Sequence, residues 1–236
     1  MSIENYLVAS GIDPIQFTDE FYASVARFHK EIETFLAQAQ PALHWQYQVP
    51  ELGEGGTCSI FGQLAEEPYD LEKCLGGKTV LNETILRQVT ALVEFYRKHS
   101  TSDWFGVYQK RLNSQGESVL IKLAYYGAAS RPEFPLTPEF AAMSNNSTVG
   151  LSGKGRIINQ VDQYRAAGGE YYTCDPKVKA EACLPILDMD GVVLGIVDSE
   201  TFIEHIFIGE ELALLVAIVL RLSMVFGNGN SAVQTG

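Results

Sequence analysis

Two apolar runs near the C-terminal end, residues 180–187 and 192–199, constrain this chain more than any other feature. Each is short, apolar and bounded by charge, as a buried strand is. Met189-Asp190-Gly191 lies between them and carries the Asp-Gly signal of a tight turn, so the pair reads as an antiparallel hairpin. Successive side chains point to opposite faces of a strand. Glu181 and Cys183 therefore share a face of the first strand, and Asp198 and Glu200 share a face at the end of the second. Three carboxyl groups are thus expected near one mouth of a sheet. The plainer reading is that they are solvated strand-end charges. Against it, Asp198 ends the apolar run 192–197, and a carboxylate in that position calls for a cation.

The rest of the chain supplies the other layers. Phe21, Val25, Phe28, Ile32 and Phe35 recur at steps of three and four, which predicts a helix within residues 15–39. Prolines and glycines interrupt residues 40–80, where irregular structure is expected, with Trp45, Tyr47 and Val49 as one short strand. Asn82 reads as an N-cap with Glu83 in the first turn, opening a second amphipathic helix that ends near His99. The period then changes to two. Trp104, Gly106 and Tyr108 share one strand face, residues 113–116 turn, and residues 119–126 return as a second hairpin. A loop of small and polar residues follows, then a short strand within 156–161. The last helix opens on Gly209-Glu210-Glu211, acidic residues where the helix dipole favours them, and runs to about residue 225. The pattern is α+β: an antiparallel sheet with helices packed on one face. The expected division is an N-terminal helix and irregular extension at 1–80, a main domain at 81–228, and a flexible tail at 229–236.

The formal net charge of -12, without a Lys/Arg cluster, argues against nucleic acid and anionic membranes as partners. No basic start followed by an apolar core opens the chain, so no signal peptide is read. The longest apolar run, 212–226, is interrupted by Arg221 and falls short of the ~20 residues of a membrane span. A cytoplasmic location is the expectation. Cys58, Cys74, Cys174 and Cys183 contain no CxxC pair and read as reduced thiols, and the spacing of His44, Cys58 and Cys74 matches no familiar zinc pattern, so no metal is expected. Gly150-Leu151-Ser152-Gly153-Lys154 resembles a phosphate loop only superficially: Thr148 stands where the first glycine belongs. Cys174 differs from the other thiols. It follows Gly168-Gly169 in a loop, where a thiol is accessible, although a buried inert thiol is the commoner fate of a free cysteine.

DWFGVYQ (103–109), YYTCDPKVKAEACLPIL (171–187), DGVVLGIVDSE (190–200) and the acidic start of the last helix occur in an order and spacing that resemble a GAF domain. Within that group, residues 82–226 look most similar to the free methionine-(R)-sulfoxide reductase family. The resemblance implies a GAF-like fold. It also implies Cys174 as the catalytic thiol, with Glu181, Asp198 and Glu200 as substrate-binding carboxylates and Trp104 and Tyr108 as an aromatic pair lining the pocket. Glu200 stands where the family has aspartate, one methylene longer. The family's two further cysteines lie upstream, and 127–134 and 147–155 contain none; Ser130 stands close to one of those places. Cys183, on the face of Glu181, is the candidate resolving thiol. So read, the protein reduces a small free amino-acid sulfoxide through a sulfenic acid at Cys174. It needs no cofactor beyond an external thiol reductant such as a dithiol protein, and its ligand is a cationic or zwitterionic amino acid. The alternative is a non-catalytic GAF sensor for a small metabolite. The missing cysteines favour the sensor, and the retained Cys174, Glu181 and Asp198 favour the enzyme. The apolar last helix is also compatible with a homodimer.

Overall fold

Apolar stripes set the principal helices, and side-chain caps start those at residues 3–9, 80–99 and 145–152. The structure, a computed structural model, describes residues 1–53, 59–113, 115–169, 171 and 175–233, without the side chains of 59, 61 and 228–233. In chain order the elements are α1 (Ile3–Ala9), α2 (Asp19–Leu36), β1 (Gln46–Tyr47), β2 (Pro50–Leu52), β3 (Ser59–Leu64), β4 (Tyr69–Asp70), α3 (Leu71–Cys74) and α4 (Val80–His99). Then come β5 (Trp104–Leu112), β6 (Ser118–Tyr126), β7 (Glu133–Pro135), α5 (Pro138–Ala141), α6 (Asn145–Ser152), β8 (Arg156–Ile158), α7 (Val161–Ala166), β9 (Ala180–Leu187), β10 (Val193–Thr201) and α8 (Gly209–Val233).

The six-stranded sheet has the order β7-β6-β5-β10-β9-β8, and every neighbouring pair is antiparallel. Both expected hairpins are present, and β10 joins them by pairing with β5 and β9. Gly195 sits at that junction: a Cβ there would meet the Tyr108 carbonyl oxygen at 2.1 Å, so only glycine lets β5 approach. Helices α2, α4 and α8 cover one face. Phe105, Val107, Ala182, Leu184 and Val197 from the sheet enter one core with Phe28, Leu92 and Leu215 from those helices. The stretch from Leu212 to Val219 in α8 is buried within the chain. No described helix is long and apolar enough to cross a membrane. Within this core the Tyr96 hydroxyl reaches Ser199 Oγ at 3.0 Å and donates to Glu211 Oε1 at 2.9 Å, tying α4 to β10 and α8.

Local chemistry departs from expectation at four places. Thr79, not Asn82, caps α4, and its hydroxyl accepts from the Asn82 N–H at 3.1 Å. Asn82 is buried and its amide donates to the carbonyls of Leu75 and Gly77, so tertiary demand takes it from the cap. The polar stretch after β6, expected as loop, holds β7, α5 and α6; Ser144 caps α6 and Gly153 ends it with φ of 66°. α8 continues to Val233, past the expected end. Residues 45–70 pair as two small antiparallel ladders, β1 with β4 and β2 with β3, rather than remaining irregular.

Candidate functional site

The other face of the sheet carries the polar site. Register puts Glu200 opposite both Glu181 and Trp104, Asp198 opposite Cys183 and Gly106, and Ile196 opposite Tyr108. Residues paired in register share a face, so one side of three adjacent strands presents all of these side chains. Of these, Trp104, Tyr108, Glu181, Asp198 and Glu200 border a cavity of about 100 Å³. Trp104, Tyr108 and Phe134 form its apolar wall, and Glu181, Asp198, Glu200 and Asp175 are its acids. The loop between β6 and β7 closes one side with Ser130 and Arg131, and the start of α6 closes another with Asn145 and Asn146. This volume is well below the ~300–1,000 Å³ that holds a drug-sized ligand.

Glu181 and Asp198 are each 3 % exposed, and Glu200 is partly open to the cavity. Among the described residues no lysine, arginine or histidine forms an ion pair with any of the three. Two amides stand in for cations. The Asn145 amide donates to Glu181 Oε1, while Arg156 donates to the Asn145 carbonyl at 3.2 Å and fixes its orientation. The Asn146 amide donates to Asp198 Oδ2 at 3.0 Å. Asp198 Oδ1 is buried and has no hydrogen-bond partner among the described residues.

Burial pushes all three acids toward the protonated form, and repulsion from neighbouring acids adds to it at Asp198 and Glu200. Burial is the main cause at Glu181, with the Tyr171 and Asn145 hydrogen bonds and Arg156 opposing it. Asp198 is raised well above its ordinary range by burial and by Glu181 and Glu200. Glu200 is pushed up to about 8 by burial, Glu181 and Asp175, against the pull of Lys122. The three titrate as a group.

No protein-family model and no curated protein sequence matches the chain. Solved structures do. The type II free methionine-R-sulfoxide reductase of Thermoplasma acidophilum superposes with a TM-score of 0.52 at 20% identity, over 63% of this chain and 96% of that one. The GAF domain from a phosphoenolpyruvate-protein phosphotransferase of Coxiella burnetii gives 0.55 at 12% identity, over 92% and 99%. A putative GAF sensor protein from Burkholderia vietnamiensis gives 0.54 at 11%, over 89% and 98%. This chain has the GAF fold.

The GAF sheet brings together five of the residues singled out from sequence: Trp104, Tyr108, Glu181, Asp198 and Glu200. Cys174 lies outside the described residues, although Asp175, next in sequence, borders the GAF pocket. Cys183 has no exposed surface; it packs with Tyr108 and Ile196, and burial together with Asp198 and Glu181 pushes its thiol well above the ordinary value. Cys58 is also outside the described residues, and Cys74 sits away from the pocket beside Glu133. Asn145 and Asn146, in a polar run 145–148 that reads from sequence as groups to cap or line a pocket, line this one, and Arg131 and Asp175 line it without having been assigned roles from sequence. A larger groove of about 1030 Å³ runs between α1, α2, α8 and the β9–β10 turn, but Val25, Leu187, Leu194, Leu220 and Met224 dominate it and no cluster of acids converges there.

A pH dependence follows from the GAF pocket. Glu200 titrates near 4.5 in an unfolded chain and at about 8 in the fold. Between those values the folded state binds more protons than the unfolded one, so stability falls as pH rises. The ligand-free protein is expected to melt at a higher temperature at about pH 5 than at about pH 8, and Glu200→Gln is expected to flatten that slope. Thermal denaturation monitored by circular dichroism across this window checks it; a slope of opposite sign would contradict the buried, proton-holding group.

Proposed function

We propose that the pocket holds a free amino acid by its ammonium group, and that the protein reduces free methionine sulfoxide with Cys174 as nucleophile. The observation that carries the ligand class is Asp198: a buried carboxyl with one oxygen unpartnered, inside a group of three acids without an ion pair, among the described residues. Such a group calls for a compact cation that donates several hydrogen bonds, as a primary ammonium does. Trp104, Tyr108 and Phe134 supply an apolar wall against which a methylthio chain packs. Support for the reaction comes from the sequence around Cys174 and from the position of Asp175 at the pocket.

In this reading the Cys174 thiolate attacks the sulfoxide sulfur. The oxygen is protonated and passes to the cysteine, leaving the thioether and a sulfenic acid. The sulfoxide sulfur gains two electrons and the Cys174 sulfur loses two. One of the clustered carboxyls, held protonated near neutrality, supplies the proton. Reduction of the sulfenic acid then takes two thiols: the first displaces water to form a disulfide, and the second releases Cys174. Buried and protonated, Cys183 is poorly placed for the first step, so an external dithiol fills that part.

The second reading, a GAF sensor, is favoured by the absence of a second thiol among the described pocket residues. The deciding experiment incubates the protein with each epimer of free methionine sulfoxide and dithiothreitol and measures methionine formed. Methionine from the R epimer alone is expected. Binding without turnover selects the sensor; neither binding nor turnover overturns the amino-acid reading.

A further inference from the structure

Lys122 lies on β6, near the middle of the sheet, with no exposed surface. Its register partner is Tyr108, so the side chain lies on the pocket side. An ammonium group taken out of water needs compensation in kind. Here Nζ donates to the Ser130 carbonyl at 2.8 Å and to the Ser130 hydroxyl at 2.6 Å. It also faces three aromatic rings, Tyr125 at 3.9 Å, Tyr47 at 5.2 Å and Trp104 at 5.9 Å from the ring centres. Cation–π contacts strengthen when the cation is taken out of water.

Two of these partners, Ser130 and Trp104, border the cavity. The others back it. The loop after β6 is held elsewhere by the same neighbourhood: Trp104 Nε1 donates to the Ala128 carbonyl at 3.0 Å and the Tyr108 hydroxyl to the Arg131 carbonyl at 3.2 Å. The Lys122 N–H donates to the Pro132 carbonyl at 2.8 Å. From the N-terminal segment, the Tyr47 hydroxyl donates to the Lys122 carbonyl at 2.7 Å, and the Tyr69 hydroxyl donates to Glu133. The charged groups around the acids are thus Lys122 from β6, Arg156 from β8, Arg131 and Asp175 from the loops, with the Tyr108 and Tyr171 phenols beside them.

We infer that Lys122 is a positioning residue of the pocket: its ammonium holds the β6–β7 wall through Ser130, seats Trp104, and sets the charge balance felt by Glu200. It acts on the ligand only through these groups. The inference assigns a role to the 45–70 segment as well, because Tyr47 closes one side of the aromatic box. It deepens the amino-acid reading but is tested without any ligand.

The test uses the full chain, free of ligand. A ¹³C-detected NMR titration follows the Glu200 carboxyl, and amide hydrogen exchange follows residues 128–131. Lys122→Met is expected to raise the Glu200 midpoint by at least about half a pH unit, because an opposing positive charge is gone. Lys122→Arg, which keeps the charge, is expected to leave it in place. In Lys122→Met the wall amides are expected to exchange at least about tenfold faster. A purely structural lysine would loosen the amides without moving Glu200 in a charge-dependent way, so an unchanged midpoint in Lys122→Met overturns the inference. If Lys122→Met does not fold, Lys122→Gln, neutral and of similar reach, carries the test: a raised Glu200 midpoint with faster exchange at 128–131 supports the role, and an unmoved midpoint overturns it. Methionine binding to the unmodified protein tests the amino-acid reading separately.

Discussion

The Cys174→Ser protein is expected to bind free methionine about as tightly as the unmodified chain and to form none from the sulfoxide. Serine is nearly isosteric with cysteine, so the pocket keeps its shape and charge. Its hydroxyl is far less acidic and far less nucleophilic, and it has no accessible oxidation state corresponding to a sulfenic acid. Loss of the nucleophile should cost at least ~10³-fold in turnover. Calorimetry for methionine and a methionine-release assay read the two properties independently. Turnover that survives the substitution would remove Cys174 from the reaction and leave the carboxylate pocket as a binding site alone.

Asp198→Asn should do the reverse, weakening binding while stabilising the fold. The asparagine oxygen can still accept from the Asn146 amide, which now bonds Asp198 Oδ2. The new NH₂ group would face the acids of Glu181 and Glu200 as a donor. One buried negative charge disappears, along with its share of the repulsion that Asp198 feels from its neighbours. Removing one member of a buried charge pair typically costs ~2–5 kcal/mol of binding, so methionine affinity is expected to fall at least ~30-fold. The free protein gains at the higher pH where the acids ionise, because burying unpaired charge is unfavourable, and the gain shrinks at lower pH, where Asp198 holds its proton. For a chain of this size ~1 kcal/mol appears as a rise of about 2–4 °C in melting temperature. Titration calorimetry and a thermal melt check both; an affinity within about threefold of the original would exclude the Asp198 carboxylate as a ligand group.

The parts of this site that were legible in sequence are those placed by strand alternation. Glu181, Asp198 and Glu200 fall on one face because they sit two residues apart along strands whose pairing the Asp-Gly turn announces, and Trp104 and Tyr108 follow the same rule. The parts that were not legible depend on distant contacts. Asn145 and Asn146 occur in a polar run without a period; that such groups can cap or line a pocket is legible, but the carboxyls they bond appear only when α6 closes over β9 and β10. Lys122, within Val119-Leu120-Ile121-Lys122, reads as an ordinary strand lysine until Tyr47, 75 residues earlier, is seen bonded to its carbonyl. The N-terminal ladders escape notice for the same reason: Gln46 pairs with Asp70 across a stretch whose glycines and prolines say only where the chain bends. Asn82 reads from sequence as the cap of α4, but Thr79 takes that place. Packing decided between them, since Asn82 is needed at the carbonyls of Leu75 and Gly77.

Strand β10 has a consequence for the kinds of change this lineage can tolerate. Its odd-numbered Val197 and Ser199 belong to the helix-covered core, and its even-numbered Ile196, Asp198 and Glu200 belong to the opposite side. A substitution alters one side at a time. Insertion or deletion of a single codon within the strand would exchange the two sets, sending carboxyls into the apolar core and valine into the acidic chamber. Drift in composition is therefore open to β10, whereas drift in length is closed to it, and length changes should accumulate instead at the Asp188–Val192 turn and beyond Thr201.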